Sequence, residues 1–175
     1  MSDVREELVA LLPRLRRFAH GLTSHREDAD DLVQEACERA LTRTELWTPG
    51  TRLDSWMYRI IQNLWYDRLR SRRVRGETVD ESMLELQADE QAHHLPERRD
   101  ELSEVSRRLQ ALRPEHREVV MLVCVEEHSY KEAADILQVP VGTVMSRLAR
   151  ARLLLQEQPL DAAQLRRPNT TESRS

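Results

Sequence analysis

Apolar residues recur every three to four positions through three long segments in the first half of the chain. This spacing is typical of amphipathic helices, and it predicts helices from about Val4 to His20, from Ser24 to Thr44 and from Thr51 to Arg73. Pro13 predicts a kink or a break in the first helix. Ser24 and Thr51 are each followed three residues later by an acidic residue, a capping-box pattern that predicts the starts of the second and third helices.

The third segment has a well-defined apolar face. Its predicted core residues are Leu53, Trp56, Met57, Ile60 and Leu64. Tyr58 and Trp65 lie on a different face with Leu69, away from this predicted core, where they would pack on a neighbouring helix or meet a partner.

The apolar pattern in the second half of the chain predicts shorter helices with clear boundaries. The apolar run Val119–Val125 is expected to be a buried helix, although its composition would also suit a strand. Ser129 and Glu132 form a capping-box pattern that opens a short helix ending at Leu137. A tight turn at 138–140 leads into a last helix from about Val141 to Leu155. Two short helices joined in this way are a helix-turn-helix candidate.

A charged, Pro-interrupted stretch separates the two helical blocks. We therefore predict an all-α protein with a helical domain at 1–75, a flexible acidic linker at 76–100, a second helical domain at 101–157 and a disordered tail at 158–175. Each domain has its own apolar faces, so the two are expected to fold independently with few contacts between them. The alternative is a packed, closed form.

Composition narrows the classes of protein further. The 175 residues include 27 Lys and Arg against 31 Asp and Glu, a net charge of −4, with 33% charged and 4% aromatic residues. Collagen-like and disulfide-scaffold proteins are excluded. No apolar run is long enough to span a membrane and the start lacks a signal-peptide core, so a cytoplasmic protein is expected.

No residue pattern points to catalysis, a metal or a cofactor. Cys37 and Cys124 lack nearby ligand partners and are expected to be buried free thiols. The four glycines are scattered and form no phosphate-binding loop. We therefore expect a protein that is not an enzyme and needs no cofactor.

Arginine is concentrated on the third predicted helix. Lys131 is the only lysine in the sequence, and residues 52–75 hold seven arginines against two aspartates. At helical spacing, one stripe collects Arg52, Arg59, Asn63, Tyr66, Arg70 and Arg73. Such a mixture suits single-stranded nucleic acid, where phosphates need charge and unstacked bases need aromatic and amide contacts. A merely solubilising face is the alternative, and a GC-rich genome would also favour arginine.

The last helix presents a different kind of surface. Val144, Leu148, Ala151 and Leu155 share one face. The opposite face carries Gly142, Thr143, Ser146, Ala149 and Arg150, with Arg147 and Arg152 at its edges. Small polar residues flanked by arginine suit reading of the DNA major groove. An ordinary solvated face is the alternative.

The second helix carries an acidic stripe opposite its apolar face. Its members are Glu27, Asp31, Gln34, Glu35 and Glu38. A stripe of this density favours a basic protein partner, whereas most such stripes are simply solvated.

Several of these segments together resemble a known family. Residues Asp28–Glu35 and Leu53–Asn63, with Asp67 and Arg70, resemble region 2 of bacterial sigma factors. Segments Leu112–Val120, Ser129–Ala134 and Pro140–Arg152 resemble region 4. With only regions 2 and 4, the chain is similar to the extracytoplasmic-function (ECF) group over about residues 5–155. It departs at Arg113 before the proline, and at Gln138, where the turn usually has glycine.

The resemblance implies roles for these surfaces. Core RNA polymerase would bind Asp28, Asp31, Leu32, Gln34 and Glu35 on its clamp helices. The −10 promoter element and its opened strand would meet the arginine stripe of the third helix together with Trp47. The −35 element would be read by Thr143, Ser146, Arg147, Arg150 and Arg152. The acidic linker would thread toward the polymerase channels, and an anti-sigma factor would cover these same surfaces.

Two other functions fit parts of the pattern. A helix-turn-helix regulator that acts without polymerase would need no region 2. A sigma mimic that only sequesters an anti-sigma factor would need no dense arginine stripe.

Overall fold

The computed structural model describes residues 4–76 and 96–157, with side chains described at 104–156 in the second part. Seven α-helices lie in these ranges. They are α1 (Val4–Thr23), α2 (Arg26–Thr42), α3 (Leu53–Val74), α4 (Pro96–Ala111), α5 (Pro114–Val120), α6 (Tyr130–Leu137) and α7 (Val141–Glu157). The described ranges contain no strand, so the predicted all-α class is confirmed. Residues 77–95, most of the predicted linker, and the predicted tail lie outside the described residues.

Helices α1, α2 and α3 form the N-terminal block, residues 4–76. Their inward faces meet in a core built around Leu15, Phe18, Leu32 and Met57, all completely buried. Helix α1 runs without a break past Pro13, which is exposed, so of the two predicted alternatives the break is wrong and the kink stays a prediction.

Two of the predicted helix caps are also wrong. Helix α2 has His25 at its N-cap and no side-chain cap, because Ser24 adopts a left-handed conformation with φ 70°. Helix α3 has Arg52 at its N-cap, again without a side-chain cap. The Thr51 hydroxyl instead donates to the Thr48 carbonyl at 2.7 Å, within the preceding turn.

Helices α4 to α7 form the C-terminal block, residues 96–157. Helix α4 begins at Pro96, inside the segment predicted as linker. The apolar run after Pro114 is helical as predicted: α5 is followed by a π turn at Met121–Val125. This turn ends with a hydrogen bond from the Glu126 amide to the Met121 carbonyl at 2.9 Å. Cys124 is exposed at this turn and Cys37 is half-buried, so the expectation that both are buried is wrong.

The two blocks pack against each other. The Arg117 guanidinium donates to the Leu22 carbonyl of α1 at 2.8 Å, and the Gln110 amide donates to the Gly21 carbonyl at 3.0 Å. Met121 fills the space beside Gly21, where a Cβ atom would lie 2.3 Å from the Met121 sulfur. The expectation of few contacts between the blocks is therefore wrong, and the closed alternative is the one observed.

This packing also corrects the predicted core of α3. Tyr58 is completely buried and Trp65 nearly so; of the two alternatives predicted for them, packing on a neighbouring part of the chain is the one observed. Tyr58 packs edge-to-face on Phe18 of its own block and on His128 of the other. Arg117 lies over the Trp65 ring at 5.9 Å. Helix α3 is thus covered on two sides, by its own block and by the C-terminal block.

Candidate nucleic-acid interface

The helix-turn-helix is fixed by local contacts at both ends of α6. The Ser129 hydroxyl accepts from the Glu132 amide at 3.2 Å, and the Glu132 carboxylate accepts from the Ser129 amide at 2.8 Å. This reciprocal capping box was predicted and is confirmed. At the other end, Gln138 has φ 56° and ψ 44°, the left-handed conformation that reverses the chain into α7.

The orientation of α7 agrees with its apolar pattern. Val144, Leu148 and Ala151 are buried against the rest of the C-terminal block. Ser146 and Arg150 are exposed on the opposite side, and Thr143 is half-buried at the start of the helix. The predicted inward face of α7 is therefore confirmed, and contact of the outward face with DNA stays a prediction.

The two flanking arginines have different surroundings. Arg152 is exposed. The Arg147 guanidinium is half-buried and donates to the buried Glu118 carboxylate at 3.2 Å. Arg147 therefore serves the packing of α7 on α5 in this conformation.

Part of the arginine stripe of α3 faces the C-terminal block. Arg52 forms ion pairs with Asp54 and with Glu132 of α6. The Arg59 guanidinium donates to the Asp135 carbonyl at 2.7 Å. These contacts place α6 directly over the first half of the stripe.

The second half of the stripe includes both buried and open positions. The Tyr66 hydroxyl donates to Glu118, and burial together with this carboxylate raises the pKa of Tyr66. Asn63, Arg70 and Arg73 are exposed, and Arg70 pairs with Asp67 one turn away. The structure thus brings the predicted stripe together along one helix and covers part of it.

A groove of about 270 Å³ lies beside the start of the stripe. Its lining residues are Leu46, Trp47, Thr48, Thr51, Arg52, Ser55, Trp56 and Arg59. Within the described ranges, the buried Trp47 Nε1 and Arg59 Nε atoms have no hydrogen-bond partner. The two indole rings that line the groove can stack on a planar group. Sequence reasoning placed Trp56 in the core and missed Ser55, since the groove depends on how the 44–52 loop folds over α3.

The predicted polymerase-binding residues of α2 divide into three kinds. Asp31 and Gln34 are exposed. Asp28 pairs with Arg72 at 3.3 Å, and Glu35 pairs with Arg68 at 2.9 Å, so α3 neutralises both acids. Leu32 is completely buried in the core and is not part of this surface, because it lies on the inward face of α2.

Two buried carboxylates at the contact between the blocks were missed by sequence reasoning. Glu118 accepts from Gln62 of α3 at 3.3 Å, as well as from Tyr66 and Arg147. Burial raises the pKa of Glu118 to about 7 despite these hydrogen bonds. Nothing in the local pattern distinguishes Glu118 from a surface glutamate on a short helix.

Glu126 has the opposite balance. Burial alone would raise the pKa of Glu126, but hydrogen bonds from Arg17 and Tyr58 hold it below its usual range. Burial, together with the same contact, raises the pKa of Tyr58. Glu126 is thus a buried anion that is bound by donors of the other block.

Within the described residues, no group of three or more His, Cys, Asp or Glu side chains is arranged to hold a metal ion. None of the helices in those ranges is long and apolar enough to cross a membrane.

Comparison with known proteins identifies both blocks. The Sigma-70 region 2 family matches residues 8–75, and the Sigma-70 region 4 family matches residues 102–155. The ECF RNA polymerase sigma factor EcfG of Rhodopseudomonas palustris is 37% identical over 154 residues, covering 86% of this chain and 82% of its own.

Solved structures agree with these matches. The sigma factor RpoE, in complex with the anti-sigma factor NepR from Bartonella quintana, superposes with a TM-score of 0.75 at 32% identity, covering 90% of this chain and 96% of its own. CnrH, in complex with the cytosolic domain of CnrY, gives a TM-score of 0.65 at 25% identity over 87% of this chain and 84% of its own.

Proposed function

The chain belongs to the ECF group of RNA polymerase sigma factors, and on this premise we propose that it binds core RNA polymerase and directs promoter-specific transcription initiation. Residues 1–75 would act as region 2 and residues 101–157 as region 4, joined by a linker at 76–100. A sigma factor is a DNA-binding regulator, and we assign no catalysis to this chain. Because core polymerase transcribes in the cytoplasm, we place the protein there.

The orientation of α7 is the observation that carries this proposal. With Val144, Leu148 and Ala151 buried, the outward face holds short polar side chains and arginine, which allows the helix to enter the major groove. We propose that Thr143, Ser146 and Arg150 read the −35 bases, and that Arg147 and Arg152 lie nearer the phosphates.

A panel of −35 variants tests this division of roles. Arg150→Ala is expected to relax the preference at particular positions, because a base contact discriminates by about 1–3 kcal/mol. Arg152→Ala is expected to weaken binding to all sequences alike and to reduce the salt slope by about one. If Arg150→Ala weakens every site equally, the arginine contacts phosphate and the assignment fails.

We propose that the −10 element is bound by the stripe of α3 and the groove beside it. Arg52, Arg59, Arg70 and Arg73 supply charge for the backbone of an opened strand, and Asn63 and Tyr66 supply contacts for its bases. The groove lined by Trp47 and Trp56 would take an unstacked base, stacked on an indole ring.

The exposed acidic residues of α2 would bind the polymerase. Asp31 and Gln34 are directly accessible, whereas Asp28 and Glu35 are held by arginines of α3 and would contact a partner at their free edges. Leu32 is left out of this contact, and it supports the helix from the core.

Transcription with purified core polymerase on a library of genomic fragments tests the proposed function. We expect specific start sites that depend on the added protein. Asp31→Lys is expected to reduce transcription by weakening core binding, while Asp30→Lys on the neighbouring surface serves as the matched charge reversal. A chain that gives no specific start on any fragment would instead be a sigma mimic.

An anti-sigma factor is the expected regulator. The solved RpoE structure is a complex with the anti-sigma factor NepR, and the CnrH structure is a complex with the cytosolic domain of CnrY. We propose that a protein of this kind binds across the two blocks of this chain and keeps it from the polymerase.

A further inference from the structure

Glu126 joins the two blocks through a buried, multiply hydrogen-bonded carboxylate. Its side chain has 0% exposure. The Arg17 Nε and Nη2 atoms donate to it at 2.8 and 2.9 Å, and the Tyr58 hydroxyl donates at 2.8 Å. The Arg14 Nε atom adds a fourth contact at 3.2 Å. The carboxylate belongs to the C-terminal block and these donors belong to α1 and α3.

The geometry of this cluster favours the closed arrangement. Hydrogen bonds between arginine and carboxylate are about twice as strong as neutral ones, and they strengthen when water is excluded. The arginine side chains keep 35% and 53% exposure, so water can solvate them when the blocks separate. The contact is therefore strong in the closed state, and its release leaves neither arginine buried.

The closed arrangement covers groups that would bind DNA. Glu132 pairs with Arg52, and the Asp135 carbonyl accepts from Arg59 at 2.7 Å. A carboxylate and a carbonyl near a helix C-terminus present negative charge to these arginines, as a DNA backbone phosphate would. The Tyr66 hydroxyl also has a partner in the closed arrangement, because it donates a hydrogen bond to Glu118.

We propose that Glu126 is the latch of an autoinhibited state, in which α6 occupies Arg52 and Arg59 in place of the opened promoter strand. The latch itself is argued from the contacts between the blocks. The claim that it blocks DNA binding rests on the proposed function of the α3 stripe. Opening the latch, by polymerase binding or by substitution, would release the stripe.

Two variants of the full chain test the latch. Glu126→Gln removes the anion, and Arg17→Ala removes its two shortest guanidinium contacts. Arg16→Ala is the matched control, because it removes the same charge from a neighbouring position of α1. Arg16 pairs with Asp30 inside its own block, at 3.4 Å. Circular dichroism checks that each variant keeps its helices. If only one of the two latch variants folds, that variant alone tests the proposal.

The first measurement is the separation of the blocks. Dyes placed at Ser71→Cys and Leu153→Cys, with the native cysteines replaced by alanine, report it by energy transfer. We expect lower transfer efficiency in both latch variants than in the wild type and in Arg16→Ala. Unchanged transfer in both latch variants would overturn the proposal.

The second measurement is the binding of single-stranded DNA. The probe is a fluorescein-labelled oligodeoxynucleotide of mixed sequence, about 20 nucleotides long, followed by anisotropy. We expect binding at least about tenfold tighter in the latch variants, because the apparent affinity of a closed protein is reduced by its open fraction. Lower transfer with unchanged DNA affinity would support the latch but overturn both the blocking of the stripe and its proposed role at the −10 element.

Discussion

Replacing Glu118 by glutamine is expected to change how stability depends on pH. Glu118 is buried beneath α3 and α7, and its pKa lies at about 7 against an ordinary value of 4.5. Between these two values the folded state binds more protons than the unfolded state. Glu118 therefore lowers the free energy of unfolding as pH rises from about 4.5 to 7, and its effect levels off above pH 7.

The magnitude follows from the two pKa values. From pH 5 to pH 8, ionisation of Glu118 costs the folded state about 2.5 kcal/mol more than it costs the unfolded state. Glutamine does not titrate, so the unfolding free energy of Glu118→Gln minus that of the wild type is expected to rise by about this amount. His116 and His128, whose pKa values are lowered by burial, contribute the opposite slope in both proteins and cancel in the difference.

Urea denaturation at pH 5 and pH 8 measures this difference by linear extrapolation. Glu127→Gln, at an exposed position of the same block, is the control and is expected to give the same difference at both pH values. If Glu118→Gln also gives the same difference at pH 5 and pH 8, the Arg147 ion pair keeps Glu118 ionised, and the reasoning from burial is wrong.

Three further substitutions test the packing of the helix-turn-helix, each by urea denaturation at neutral pH. Gln138→Gly is expected to stabilise the protein by about 0.5–1 kcal/mol, because glycine adopts the left-handed conformation without strain. A loss of stability would mean that the hydrogen bond from the Gln138 side-chain amide to the Asp135 carbonyl, at 2.6 Å, outweighs this relief. Ser129→Ala is expected to cost about 1 kcal/mol through loss of the capping box, and no loss would show that the Glu132 carboxylate caps the helix alone. Leu148→Ala is expected to cost about 2–5 kcal/mol, since the side chain is buried at the centre of α7, whereas a cost below 1 kcal/mol would contradict the assigned inward face.

Local periodicity was sufficient to predict the orientation of α7. Its apolar residues repeat over the full length of the helix, and the residues of its outward face are small and polar. Only one orientation of α7 therefore fits the pattern. The capping box at Ser129 was predicted equally well, because both of its partners lie within four residues of each other. Properties that depend on neighbouring residues alone could be derived from the sequence.

The caps predicted at Ser24 and Thr51 are wrong because local sequence does not distinguish a helix cap from a turn. The same residue types that cap helices also serve in turns. Thr51 donates to Thr48 within the turn before α3, and Ser24 lies in a left-handed bend. Which of the two uses is chosen depends on where the preceding helix points, and the local sequence does not contain that information.

The burial of Tyr58 and Trp65 required knowledge of the whole chain. Periodicity assigns one buried face to a helix, whereas α3 is covered by a second surface that lies far away in sequence. Tyr58 contacts Glu126 and Trp65 contacts Arg117, both in the C-terminal block. The covered part of the stripe and the two buried glutamates follow from the same packing, which no local pattern could reveal.

A chromosome offers on the order of 10⁶ or more nonspecific sites to any basic surface, and these compete with a promoter for each protein molecule. Nonspecific affinity falls with each cation that is already neutralised. If the α3 stripe binds DNA as proposed, the pairing of Arg52 and Arg59 with α6 would make bulk DNA hold the closed chain less tightly. The closed chain would then stay in the freely diffusing pool, where it would meet a polymerase molecule before it meets a promoter.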